Sequence, residues 1–175
     1  MTNEVIRNII TRRSCKKFKS DPVPREMIDA VVEAGLYAAS GMGKQSPIII
    51  VVTDRMTRDK LSELNAKYDP MKRSDPFYNA PVVIPVLADK TITTYVYDGS
   101  LVLGNMMLAA HSLGLGSCWI HRAKEVFEDK EGQEILKKLG IFGEYEGIGN
   151  LVLGYPEIIN SNIPARKENR VFRVL

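Results

Sequence analysis

Residues 99–121 read GSLVLGNMMLAAHSLGLGSCWIH and contain no side chain with a permanent charge. Read as one unbroken apolar helix, the stretch is long enough to cross a bilayer. Yet Gly104, Asn105, His111, Gly114 and Gly116 interrupt it, and no cluster of cations flanks it. The other reading breaks it at the glycines. A helix runs from about Tyr95 to Leu113 and is capped by a tight glycine turn, and GSCWI at 116–120 follows as a short strand. A helix apolar around most of its circumference belongs at the centre of a core or at a seam between subunits. We adopt this second reading, and it makes the chain globular.

Outward from that unit, three more strands are expected. PIIIVVT at 47–53 is continuously apolar and β-branched, VVIPVLA spans 82–88, and IGNLVLGY spans 148–155. Pro85 cannot donate to a ladder, so the strand that holds it is expected at an edge or at a bulge. Thr2 or Asn3 caps a first helix whose apolar face is Val5, Ile6, Ile9 and Ile10, and which ends near Arg12. Pro24 opens a second, with Met27, Ile28, Val31, Val32 and Leu36 facing inward. A polar helix covers about Thr57 to Lys67, and two short ones fill AKEVFEDKEGQEILKKLG at 123–140. The tail after Pro156 has turn residues and cations but no helical period. Strands and helices mix without regular alternation, which predicts an α+β fold over a doubly wound sheet.

The 175 residues fit one domain, 1–175, with 45% hydrophobic and 26% charged residues. The net charge of +3 conceals an uneven distribution. Residues 12–19 carry five cations and no acid, and residues 166–173 carry a net of three, which leaves −5 for the rest. A protein that tracks nucleic acid spreads its cations along a face, so no nucleic-acid partner is expected. Two cysteines and two histidines without ligand spacing predict no metal site. MTNEVIRNII reads as a capped amphipathic helix and not as a signal peptide, so a cytoplasmic protein with reduced thiols is expected.

RRSCKKF at 12–18 is the densest positive stretch. If the chain is extended after the first helix, Arg12, Ser14 and Lys16 share one face, and Arg13, Cys15 and Lys17 the other. A guanidinium fork, a hydroxyl and an ammonium together suit a phosphate and a second electron-rich group. The bland alternative is that the arginines complement the helix C-terminus while the lysines are solvated. GLGSCW follows a helix and precedes a strand, the wrong order for a phosphate loop, and reads as a helix cap. His111 reads as a hydrogen-bonded core residue, Cys118 as a small apolar one, and no nucleophile elbow is present.

Taken in order, RRSCKKF, AGLYAASGMGKQSP, GNMMLAAHSLGLGSCWI, LVLGYP and the basic PARK tail resemble the successive motifs of the FMN-dependent nitroreductase family. The first resembles R-R-S-x-R/K-x-F, and the second resembles A-x-x-A-P-S-x-x-N-x-Q-P-W. The resemblance implies a nitroreductase-like fold, a central and mostly antiparallel sheet flanked by helices. It also implies a two-fold homodimer with an extended C-terminal arm and one FMN in each interface cleft. Carried over by position, Arg12, Arg13, Ser14 and Lys16 would line the flavin, with Lys16 at its pyrimidine edge and Arg12 near the phosphate or that same edge. Ser40, Met42 and Gln45 would reach the flavin of the other subunit. Trp119, Ile120, His121 and Arg122 would run beside the ring, and Arg166 and Lys167 would close on the phosphate. Gly43 departs from the family's asparagine and QSP from Q-P-W. His121 and Arg122 replace a common glycine and would bring a titratable group and a cation to the ring.

The implied function is an FMN-dependent oxidoreductase in which NADH or NADPH delivers hydride and a small electron-poor acceptor, such as a nitroaromatic or quinone, then takes it. The cofactor carries the chemistry, no side chain is assigned as catalytic, and Lys16 tunes the flavin. Rival readings are reductive dehalogenation or enone reduction on the same flavin, a non-catalytic flavin-binding or regulatory protein, and a nucleic-acid binder using the basic run.

Overall fold

The Asn3 side chain accepts the Ile6 N–H at 2.9 Å and starts helix α1, Glu4–Thr11. The structure is a computed structural model describing residues 3–174, so the alternative cap, Thr2, lies outside the described residues. The apolar face of α1 is open: Val5 is 66% exposed and Ile9 52%. Helix α2, Arg25–Leu36, follows Pro24 and buries Ile28, Val31 and Gly35. Leu36, expected inside, is exposed, because it falls one residue off the 28–31–35 stripe.

Strand β1, Pro47–Ile49, leads to helix α3, Arg55–Lys67, which is capped by Asp54 accepting the Thr57 N–H at 2.8 Å. Then come strand β2 (Val82–Asp89), helix α4 (Tyr95–Ser112), strand β3 (Gly116–Ile120), helices α5 (Ala123–Glu128) and α6 (Lys130–Lys138), and strand β4 (Tyr145–Gly154). The sheet order is β1-β2-β4-β3, and every neighbouring pair is antiparallel. The expected α+β fold is present, with its antiparallel sheet between helices.

Pro85 lies in an inner strand, not at an edge. It pairs with Asn150 of β4 on one side, while on the other its carbonyl accepts the Ile50 N–H at 2.9 Å. In a ladder pair of this type each residue donates to the other, and Pro85 has nothing to donate. The β1 ladder therefore breaks after Ile49 and resumes at a single bridge, Val52 to Val83, in unchanged register. This is why the strand expected over 47–53 is so short. A bulge does occur nearby, between Val86 and Leu87, where β4 carries one extra residue.

Both sheet faces are covered. Val82, Ile84 and Val86 pack with Ile28 and Val31 of α2 and with Val102, Leu103 and Met106 of α4. Val83, Leu87, Val152, Cys118 and Ile120 face Leu61 and Leu64 of α3, Phe77, and Val126 and Phe127 of α5. Helix α4 ends as expected: Gly114 has φ +74°, its N–H donates to the His111 carbonyl at 3.1 Å, and the Leu115 N–H to that of Ala110 at 2.8 Å. This turn drops the chain into β3 at once. Among the described residues no helix is long and apolar enough to cross a membrane.

The basic stretch then borders the sheet. Ser14 bridges Ser117 of β3 in parallel, the Cys15 N–H donates to the Ser117 carbonyl at 2.9 Å, and Phe18 bridges Pro156. Residues 14–15 thus lie at the outer edge of β3, and residues 17–19 pair with 155–157 just beyond β4. Beyond Glu157 the tail is exposed and carries neither helix nor strand.

Candidate functional site

At the end of α1 the two arginines diverge. Arg13 donates from Nε to the Asn162 carbonyl and from Nη1 to that of Ile10, both at 2.8 Å. Its Nη2, and Nη1 of Arg12, are buried without a hydrogen-bond partner. A buried guanidinium nitrogen left unpaired costs the full desolvation of a charged donor, so the two nitrogens demand an acceptor. A cavity of about 190 Å³ opens beside Arg13 and Ser14, with His111, Ile158 and Asn160 on its other walls. That is below the ~300 Å³ of a complete small-molecule pocket, so one copy of the chain does not enclose a large ligand here.

Ser14 bridges Ser117, next to the buried Cys118. Burial pushes that thiol's pKa up, while the Ser14 hydroxyl and the cations Lys16, Arg12 and Arg73 pull it down. Cys15 bonds the Lys17 carbonyl at 3.1 Å and packs over Gly116. His111 is half-buried, and its Nε2 is hydrogen-bonded to the Thr11 hydroxyl oxygen at 2.8 Å. Burial, then Arg12 and Arg13, hold its imidazole below the ordinary histidine pKa. It lies at the edge of this site and not in the core.

Arg73 was not legible as a site residue. It belongs to the loop after α3, where Asp69 takes it in a fork, 2.6 Å to Nε and 3.0 Å to Nη2. The Asp69 side chain is fully enclosed, and Arg73 holds its carboxyl well below the usual range. Arg122, expected to point a cation at the ligand, is turned onto this same carboxylate, 3.4 Å away, and donates to the Tyr68 carbonyl at 2.7 Å. Its φ is +74°, so the chain reverses there between β3 and α5. His121 is exposed, and its carbonyl accepts from the buried Asn65 at 2.9 Å. Trp119 is half-buried and Ile120 buried. Segment 119–122 thus continues the strand that Ser14 bridges at Ser117.

Two expected groups lie elsewhere in the protomer. Ser40, Met42 and Gln45 share one turn, half-buried at Ser40 and exposed at Met42 and Gln45. The Ser40 hydroxyl accepts the Gln45 N–H at 3.1 Å, and Met42 and Gln45 have φ of 52° and 48°. The turn is tied to the start of α4 by Asp98, which accepts from the Gly41 N–H at 3.0 Å and the Ser46 hydroxyl at 3.1 Å. Asp98 and His111 are about 20 Å apart along the helix. The turn and the basic edge therefore sit at opposite ends of α4, too far apart to line one ligand in one copy. Arg166 donates to the Pro164 carbonyl, and both it and Lys167 are exposed in the tail.

A model of the nitroreductase family matches residues 9–155. A protein of Methanothermobacter thermautotrophicus, provisionally named an NADH dehydrogenase/NAD(P)H nitroreductase, is 35% identical over 66% of this chain and 60% of its own. A protein of Archaeoglobus fulgidus with the same provisional name is 31% identical over 88% of this chain and 86% of its own. The chain thus spans about three fifths of the length of one relative and most of the other. Among solved structures, a nitroreductase with bound FMN from Bacteroides fragilis superposes with a TM-score of 0.90, at 27% identity, over 99% of this chain and 100% of its own.

Proposed function

The chain belongs to the nitroreductase family, and on that premise we propose that it is an FMN-dependent NAD(P)H oxidoreductase. It reduces small electron-poor acceptors, nitroaromatics or quinones, in two half-reactions. The observation that carries the reading is the pair of buried, unpartnered guanidinium nitrogens of Arg12 and Arg13 beside Ser14 and Lys16. Those donors fit a phosphate and the electron-rich edge of a flavin. FMN, when bound, supplies reversible two-electron transfer, so that NAD(P)H, a proton and the acceptor become NAD(P)⁺ and the reduced acceptor.

The residues have separate tasks. Arg12 and Arg13 hold the phosphate end, with Arg166 and Lys167 closing on it from the tail. Lys16 places a positive charge at the pyrimidine edge, and Trp119 to Arg122 border the ring with backbone. Ser40, Met42 and Gln45 complete the cleft from a second subunit. Their position at the far end of α4 supports that role, because a two-fold axis across α4 brings the turn of one copy to the basic edge of the other. The same axis covers the open face of α1, which makes the working unit a homodimer. Two free thiols, Cys15 and Cys118, suit a cytoplasmic protein.

The cofactor assignment is tested on the purified protein. Heat-released flavin should have the mass of FMN, at one per protomer. Recovery of FAD, or a colourless protein that takes up no added FMN, contradicts the phosphate role of Arg12 and Arg13.

A further inference from the structure

We propose that Tyr78 is a positioning residue for Lys16, holding that cation at the cleft without neutralising it, while Arg73, paired with Asp69, braces the ring. The inference rests on the flavin reading above and adds a residue that no motif contains. Lys16 Nζ lies 5.8 Å from the centroid of the Tyr78 ring, and Arg73 Cζ lies 5.6 Å from the same centroid. Arg73 also donates from Nη1 to the Tyr78 hydroxyl at 2.5 Å. Among the described residues Lys16 makes no ion pair, and its head is held by this aromatic face.

The choice of an aromatic partner has a chemical consequence. A carboxylate would hold Lys16 more firmly, but it would cancel the charge that the electron-rich ring edge needs. The π face of a tyrosine attracts an ammonium through its quadrupole and leaves the net charge in place. A lysine without such a guide is a flexible stem with many rotamers, so its field at the flavin is averaged away. Tyr78 therefore acts through Lys16, not on the substrate.

The ring is fixed in turn. Tyr78 has φ of 54° and Asn79 58°, a region that bulky residues enter only when their surroundings impose it. Asp75 imposes it here. Its carboxylate accepts the Phe77 N–H at 2.9 Å, the Asn79 N–H at 2.7 Å, the Ser62 hydroxyl at 2.6 Å and the guanidinium of buried Arg58 at 2.6 Å. Phe77, one residue earlier, is wholly buried. On the other side Asp69 anchors Arg73. A turn pinned at both ends and strained at its tip presents the ring in one place.

The test is the midpoint potential of the bound flavin in the holoprotein, titrated anaerobically against a reference dye. Tyr78→Leu should shift the two-electron equilibrium about tenfold toward the oxidised form, a fall of ~30 mV. Tyr78→Phe, which keeps the ring, should shift it less. Most of the Tyr78→Leu effect should vanish when Lys16→Met is already present. Should Tyr78→Leu not hold flavin, Tyr78→pentafluorophenylalanine decides, since it keeps the shape of Phe and inverts the quadrupole, and its potential should fall below that of Tyr78→Phe. A flavin-loaded protein whose potential ignores residue 78, or responds equally with and without Lys16, overturns this inference alone. A protein that binds no flavin overturns the functional reading with it.

Discussion

Lys16 and Lys17 are adjacent, yet the proposed function gives a role to Lys16 alone, whose ammonium lies by the Tyr78 ring. Lys16→Ala and Arg12→Ala should each weaken FMN binding by ~1.5–3 kcal/mol, roughly 10- to 150-fold, as expected for charge-assisted contacts. Lys17→Ala should leave it unchanged, because alternation turns that side chain away from the face of Lys16 and the residue contributes its carbonyl, to Cys15 and Glu157. Fluorescence titration of apoprotein with FMN measures all three. His111 gives a pH prediction. Its folded pKa lies below the ordinary value of about 6.5, so the unfolded chain binds more protons between the two values. Stability is therefore full above about pH 6.5 and falls as the pH drops toward the folded value. His111→Gln should flatten that part of a melting-temperature profile. The residues of RRSCKKF were legible because they are contiguous and alternate. Arg73, Asp69 and Tyr78 were not, since what makes them site residues is the folding of a loop some sixty residues away onto β3.

The helix, glycine turn and strand at 95–120 were readable almost to the residue, because their boundaries are set by local chemistry: a run of apolar positions, a left-handed glycine and a β-branched end. The environment of Pro85 was not readable, since strand order is a property of tertiary pairing. The sequence stated correctly that one donor is missing, and the structure shows that β1 bears the consequence. The turn carrying Tyr78 looked like an ordinary polar loop for the same reason, as its anchor, Arg58, lies a helix away. Asp75→Ala should destabilise the protein by roughly 3 kcal/mol or more, because it leaves the buried Arg58 with a weaker set of acceptors and frees two turn N–H groups. Urea unfolding measures it, and a loss below 1 kcal/mol would mean that the turn is held by Phe77 alone.

In the proposed dimer helix α4 frames the site, with the basic edge at one end and the 40–45 turn at the other. An added Cβ at Gly104 meets nothing within 4 Å in one protomer, so Gly104→Leu should leave the protomer folded. In a dimer packed across α4 the same side chain collides with the second copy. Light scattering should then report a 19.6 kDa particle that has lost its FMN, and a flavin-loaded dimer of the variant would move the seam elsewhere. The oxidoreductase reading itself is decided by one anaerobic titration. Under nitrogen, NADH or NADPH should bleach the flavin absorbance of the holoprotein stoichiometrically, and a nitroaromatic or quinone added afterwards should restore it. A bound flavin that stays yellow with both nucleotides would contradict the account and leave a flavin-binding protein without this activity.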